Sequence, residues 1–251
     1  MDRLYSHPRK DNRMSEKPIL FKGEMVRAIV AGDKTQTRRI IKPQPPAWFK
    51  MRWPPHEGNE IVGVREDGES YSLKCKYTQG DTIWVRENWK PYAWDDGGIV
   101  TPLYQADNVI GKPNDLWRCH EDPDGDKYND WWMKITDELE KSGCLTTNEG
   151  VFIDTLDHLK WRPSIFLPRS MCRILLEVVS VRVERVAEIS HADALAEGIN
   201  PNGEYNDYGT GSKNADQFAE LWDSINAKKG FGWKVNPWVW VIEFKRIEVK
   251  N

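Results

Sequence analysis

Several things are scarce in this chain of 251 residues, and each scarcity removes a class of function. There are four cysteines, Cys75, Cys119, Cys144 and Cys172, and no two of them form a Cys-x-x-Cys pair. Neither a zinc knuckle nor a disulfide framework is indicated, so reduced, unligated thiols are expected. The adjacent Cys119 and His120, with Cys144, are the one weak grouping of metal-ligand types, and no metal is expected there. No run of about 18 apolar residues occurs, and the opening "MDRLYSHPRKDNRMSEKP" lacks the apolar core of a signal peptide. The expectation is a cytoplasmic protein with no membrane partner. Positive charge is not in excess either: Lys and Arg number 36 against 39 Asp and Glu, a formal net charge of -3. That argues against a surface coated in positive charge for non-specific nucleic-acid binding, while a local basic groove stays open.

Tryptophan, by contrast, is abundant. Thirteen occur, in clusters at Trp84 and Trp89, at Trp131 and Trp132, and at Trp233, Trp238 and Trp240. Core packing accounts for most such residues, and base stacking is the functional alternative. The hydrophobic fraction of 39% supports a substantial core.

Residues 1–16 are polar and uncapped, and read as a disordered leader. "PILFKGEMVRAIVAGDKTQTRRIIKPQPP" then reads as strand, helix, tight turn and strand, with Gly32 at the left-handed cap position and prolines ending the second strand. Residues Ala47 to Tyr77 read as irregular. Gly80-Asp81 feeds a strand with Ile83 and Val85 alternating against Trp84 and Arg86, and Pro102 to Asp107 suits a short partner strand. Residues 108–160 look like a turn-rich insertion holding a helix from Trp131 to Leu139. Ile174 to Val183 forms a long strand or hairpin. Ser190 caps a short helix ending at Gly198, residues 200–214 form a loop, and a helix runs from Ala215 to Asn226. The last strand alternates Val239, Val241 and Glu243 against Trp240, Ile242 and Phe244, which points to burial on both faces for part of its length.

In that order, the helix followed by "GDKTQTRR", the strand "QGDTIWVRE", the helix "ISHADALAEGI" and the strand "WVWVIEF" resemble the ASCH domain family, whose fold is PUA-like. "KPILFKGEMVRAIVAGDKTQTRRIIKPQP" and "KWRPSIFLPRSMCRI" are similar to ASCH-type proteins carried by bacteriophages and prophages, which would place the protein in a bacterial host's cytoplasm. The resemblance covers roughly residues 17–48, 78–107, 161–200 and 215–248. It implies an α+β fold: a PUA-like, partly open β-barrel with short flanking helices and loop insertions, forming one domain over residues 17–251 interrupted at about 108–160. It also implies a cleft for RNA or a nucleoside. A small bacterial branch with a K-T-x-T-x-R motif hydrolyses N4-acetylcytidine to cytidine and acetate, without a cofactor. Carried over one at a time, its catalytic lysine falls on Lys34, its threonine on Thr37, and its glutamate on Glu197 in "AEG". Greater length and the insertions set this chain apart from the small enzymes.

Amide hydrolysis needs a nucleophile, a base that activates it, and a proton for the leaving nitrogen. Lysine can serve as that base when burial or neighbouring cations lower its pKa from about 10.4, and Arg38 and Arg39 could supply part of such a field. One geometric condition must be met. In a regular strand, residues three apart face opposite sides, so Lys34 and Thr37 meet only if Lys34 still belongs to the Gly32-Asp33 turn. For binding, Arg38, Arg39 and Arg86 suit a phosphate or base edge, and Trp84 suits either stacking or the core. Arg162, Arg169 and Arg173 suit a phosphate surface or ordinary salt bridges. Two readings result: an amidohydrolase of N4-acylated cytosine nucleosides, or a non-catalytic reader of RNA or modified nucleic acid. Metal-independent RNA cleavage is disfavoured because no histidine lies in the motif; of five, only His191 is near one.

Overall fold

A computed structural model describes residues 16–49, 60–64, 68, 70–94, 99–112, 117–118, 127–148, 150–199 and 213–247. Most of the leader and of the 200–214 loop lie outside these residues, as do Cys119 and His120. In chain order the elements are β1 (Glu16–Leu20), α1 (Gly23–Ala31), β2 (Gln36–Ile40), β3 (Glu60–Val64), β4 (Ser70–Lys74), β5 (Thr82–Arg86), β6 (Trp89–Trp94), β7 (Ile99–Tyr104), β8 (Val109–Ile110) and β9 (Trp117–Arg118). After them come α2 (Lys127–Lys141), α3 (Thr155–His158), β10 (Leu175–Arg185), α4 (His191–Ala196), α5 (Lys213–Asn226) and β11 (Trp238–Ile247). This is an α+β architecture. Its main sheet has the order β1-β5-β10-β11-β2 and is not closed into a barrel among the described residues, so β1 and β2 are its edges.

The central pair explains the sheet's stability. β10 and β11 run antiparallel over nearly their whole lengths, with one bulge between Val178 and Ser180. Alternation along β11 assigns Trp240, Ile242 and Phe244 to one core, with Phe21, Val26, Ile29 and Ile83. Val239 and Val241 belong to a second core, with Phe218 and Trp222 of α5 and Ala194 of α4. A strand buried on both faces must be apolar at every position, as "WVWVI" is. The same alternation fixes the register, because a slip of one residue would exchange the two cores.

The structure departs from the sequence reading in several places. Ala47 to Tyr77 contains the β3–β4 hairpin, whose Leu73 is buried in the main core together with Cys75 and Tyr77. The partner strand expected from Pro102 to Asp107 is β7, and it pairs with β6, β8 and β9 rather than with β5. In the 108–160 stretch, the helix expected from Trp131 to Leu139 is part of the longer α2, whose Ile135 and Leu139 pack with Cys144 and Leu159 in a small core of their own. Glu16, expected in the leader, is the first residue of β1, which pairs parallel with β5. Most tryptophans serve packing: Trp89, Trp222 and Trp240 are buried, and Trp94 meets Trp131 and Trp132 edge-on. Cys75, Cys144 and Cys172 are buried and form no disulfide. Burial pushes the Cys172 thiol up to about 11, which leaves it unreactive.

Candidate functional site

The site is built where α1 hands the chain to β2. Gly32 closes the helix at φ 88, and its N–H donates to Ile29 O. The amides of Asp33 and Lys34 both donate to Ala28 O, so the chain is still turning at Lys34. Regular pairing with β11 starts at Gln36. Lys34 therefore lies outside the strand, where it forms an isolated bridge with Glu197 just past α4. Its ammonium stands over the Phe21 ring at 5.9 Å, the ring that Arg39 also covers at 5.1 Å. Thr37 and Arg39 share one side of β2, facing Ile242 and Trp240. Lys34, Thr37 and Arg39 thus occupy the same side of the edge strand, which the turn makes attainable.

Lys34 Nζ donates to Glu197 Oε2 at 2.6 Å and to Glu197 O at 2.8 Å. Glu197 Oε1 accepts from Arg38 Nη1 at 3.3 Å, although Arg38 points to the opposite side of β2. The carboxylate straddles the open edge and takes one cation from each face. All three groups are buried, the Lys34 side chain to 1% exposure and that of Arg38 to 0%. Burial holds the Lys34 ammonium below the ordinary lysine range; Glu197 opposes that shift, and Arg39 and Arg38 add to it.

The ionic system continues under α4. Arg38 Nη2 lies 3.0 Å from Glu184 Oε2 and 3.2 Å from Asp193 Oδ2. Arg182 donates to Glu184 Oε1 at 2.5 Å, to Asp193 Oδ1 at 2.9 Å and to Glu243. Ser190, the cap of α4, accepts from the Asp193 amide at 3.0 Å. Burial works against charge on Asp193, but Arg38, Ser190 and Arg182 outweigh it and hold the carboxyl below its usual range. Glu184, Asp193, Arg182 and Glu243 were not singled out in the sequence. Strand registers place two of them beside the motif: Arg38 faces Val241, which faces Arg182, and Gln36 faces Glu243, which faces Ser180. Only the pairing of distant strands carries that signal.

A cavity of about 270 Å³ opens over the β2 edge between α1 and α5. Thr37, Arg38, Arg39 and Glu197 contribute to its wall; Met25 lines the α1 side, and Phe218 and Trp222 line the α5 side. Lys34 sits behind Glu197 and is not among the lining residues. The cavity's volume is just under the usual small-molecule range of about 300–1,000 Å³, a size for one small molecule rather than a strand.

Trp84 and Arg86 do not join this site. They lie on β5, separated from β2 by β10 and β11, roughly 14 Å away at the usual strand spacing. The Arg86 guanidinium stacks on the Trp84 ring at 4.4 Å, and Trp84 is buried. Alternation along β5 could not reveal which strands would come between. The three arginines near 161–173 are ion-paired: Arg162 with Glu138, Arg169 with Glu16, and Arg173 with both Glu87 and Asp107. Among the described residues no cluster of metal-ligating side chains occurs, and no helix is long and apolar enough to cross a membrane. Compared with family models, curated proteins and solved structures, the chain matches none.

Proposed function

We propose that this is an ASCH-type protein with a PUA-like fold that binds a modified cytosine nucleoside, free or in RNA, and hydrolyses an N4-acyl amide. The carrying observation is the buried Lys34–Glu197 pair, 2.6 Å apart, behind a small cavity whose wall Thr37 shares with Glu197. An open sheet edge flanked by helices also supports a partly open PUA-like barrel with its cleft at that edge.

In this reading Thr37 Oγ attacks the acyl carbon as Lys34, in its neutral form, takes the hydroxyl proton. Burial shifts the lysine toward that form, and Glu197 opposes the shift. Glu197 relays the proton from Lys34 to N4 of the base, the C–N bond breaks, and the acyl group remains as an ester on Thr37. Water, deprotonated by the same pair, hydrolyses the ester, releases the carboxylate and restores Thr37. Net consumption is one water per amide, and no cofactor takes part. Incubation with N4-acetylcytidine, followed by chromatography, tests this. Deacetylation lost in both Lys34→Ala and Thr37→Ala is expected; turnover no greater than in those variants overturns it.

A second reading, a non-catalytic reader of RNA or modified nucleic acid, is favoured by one observation. Arg39, Lys42 and Lys229 line the cavity without an anionic partner among the described residues. RNA binding that persists with no turnover would select it.

A further inference from the structure

The cavity offers donors in excess of acceptors. Its lining holds four cations, Arg38, Arg39, Lys42 and Lys229, and one anion, Glu197, which Lys34 and Arg38 already engage. Arg38 is matched further by Glu184 and Asp193. The remaining three have no carboxylate within ion-pair distance among the described residues. Arg39 donates one Nη2 hydrogen bond, to Leu20 O at 2.8 Å, and its Nε is buried without an acceptor. Arg38 Nε is in the same condition, on a residue only 5% exposed. Burial also holds the Arg39 guanidinium below its ordinary range, against the opposing pull of Tyr77 and Glu197. Buried donors left unmade are costly, and an acceptor carried by a ligand in the cavity would satisfy these two. Apolar lining from Met25, Phe218, Leu221 and Trp222 fits the flat body of that ligand, not its charge.

We infer that the site takes its cytosine nucleoside with a phosphate attached, and that Arg39, Lys42 and Lys229 receive that phosphate. The inference rests on the nucleoside reading above and narrows its substrate class. A phosphate supplies acceptor oxygens to Arg39, and the two lysines stand at the exposed margin as point charges. The phosphate could belong to a mononucleotide or to a phosphodiester within RNA; the chemistry of recognition is the same.

Calorimetric titration of the intact protein with cytidine, cytidine 5′-monophosphate, cytidine 3′-monophosphate and a tetracytidylate separates these cases. At least one phosphorylated probe is expected to bind about tenfold or more tightly than cytidine, the usual gain from a charge-assisted contact. The ratio is expected to shrink toward one in Lys42→Ala/Lys229→Ala and to fall with salt. A gain with a monophosphate assigns the mononucleotide; a gain with the tetranucleotide alone assigns the phosphodiester. Equal affinity for all four probes, no binding of any, or a ratio that survives the double substitution overturns the inference. Hydrolysis of N4-acetylcytidine without a phosphate preference overturns this inference alone. A phosphate preference without hydrolysis overturns only the catalytic reading.

Discussion

The Lys34 ammonium and the Glu197 carboxylate, 163 residues apart in the chain, are joined at 2.6 Å beneath the open edge of the main sheet. Neither group is accessible to water in a way that would lower the cost of its charge, so each depends on the other.

That dependence predicts unequal costs. Lys34→Met leaves Glu197 with Arg38 alone, and Glu197→Leu strands a buried ammonium. Each single substitution is expected to destabilise by about 3–5 kcal/mol, whereas the Lys34→Met/Glu197→Leu double variant recovers most of the loss. Urea unfolding of the four proteins in a double-mutant cycle measures the coupling; additive losses would refute it.

Burial of Lys34 also sets a pH dependence. Its folded pKa is below the ordinary value, so between the two the unfolded chain binds the proton that the folded chain disfavours. This contribution to stability therefore rises with pH across that window, up to about 10.4. Deacylation, which needs neutral Lys34, should rise tenfold per pH unit on the acid side and level off below that ordinary value. A pH profile of kcat/KM with no plateau before about 10.4 would exclude Lys34 as the base.

Gly198 controls the approach of Glu197 to Lys34. At φ 85 it occupies the left-handed region, and an added Cβ would stand 3.0 Å from Ala28 Cβ and 3.2 Å from Lys34 Cβ. Gly198→Ala is expected to cost about 1–3 kcal/mol from backbone strain and crowding. Thermal unfolding reads the loss, and it should exceed that of Gly32→Ala, where a Cβ at φ 88 meets nothing within 4 Å.

Arg173 ties the end of β5 to the loop after β7. Its guanidinium makes two hydrogen bonds to Glu87 at 2.8 Å and two to Asp107 at 2.9 and 3.0 Å, above the Tyr104 ring. Burial opposes its charge, but the two carboxylates outweigh burial and hold its pKa up. Arg173→Met is expected to destabilise by about 3–5 kcal/mol, because Glu87 loses a buried partner. Arg173→Lys should recover little, since an ammonium cannot make two bidentate contacts. Denaturant midpoints of the three proteins check the order.

Local chemistry made several of these features legible in advance. Gly32 suits the left-handed cap, Ser190 suits the cap of a short helix, and "WVWVIEF" suits burial on both faces for part of its length, because each follows from neighbouring residues alone. The motif around Lys34 likewise showed that a turn must precede the strand if Lys34 and Thr37 were to share a side. What the sequence could not determine was which strands would lie between β5 and β2. That order removed Trp84 and Arg86 from the site and brought Arg182, Glu184 and Glu243 into it. Pairing between distant strands depends on the simultaneous burial of both sheet faces, a property of the assembled cores and not of any one segment. The meeting of Lys34 with Glu197 was decided there, by tertiary structure.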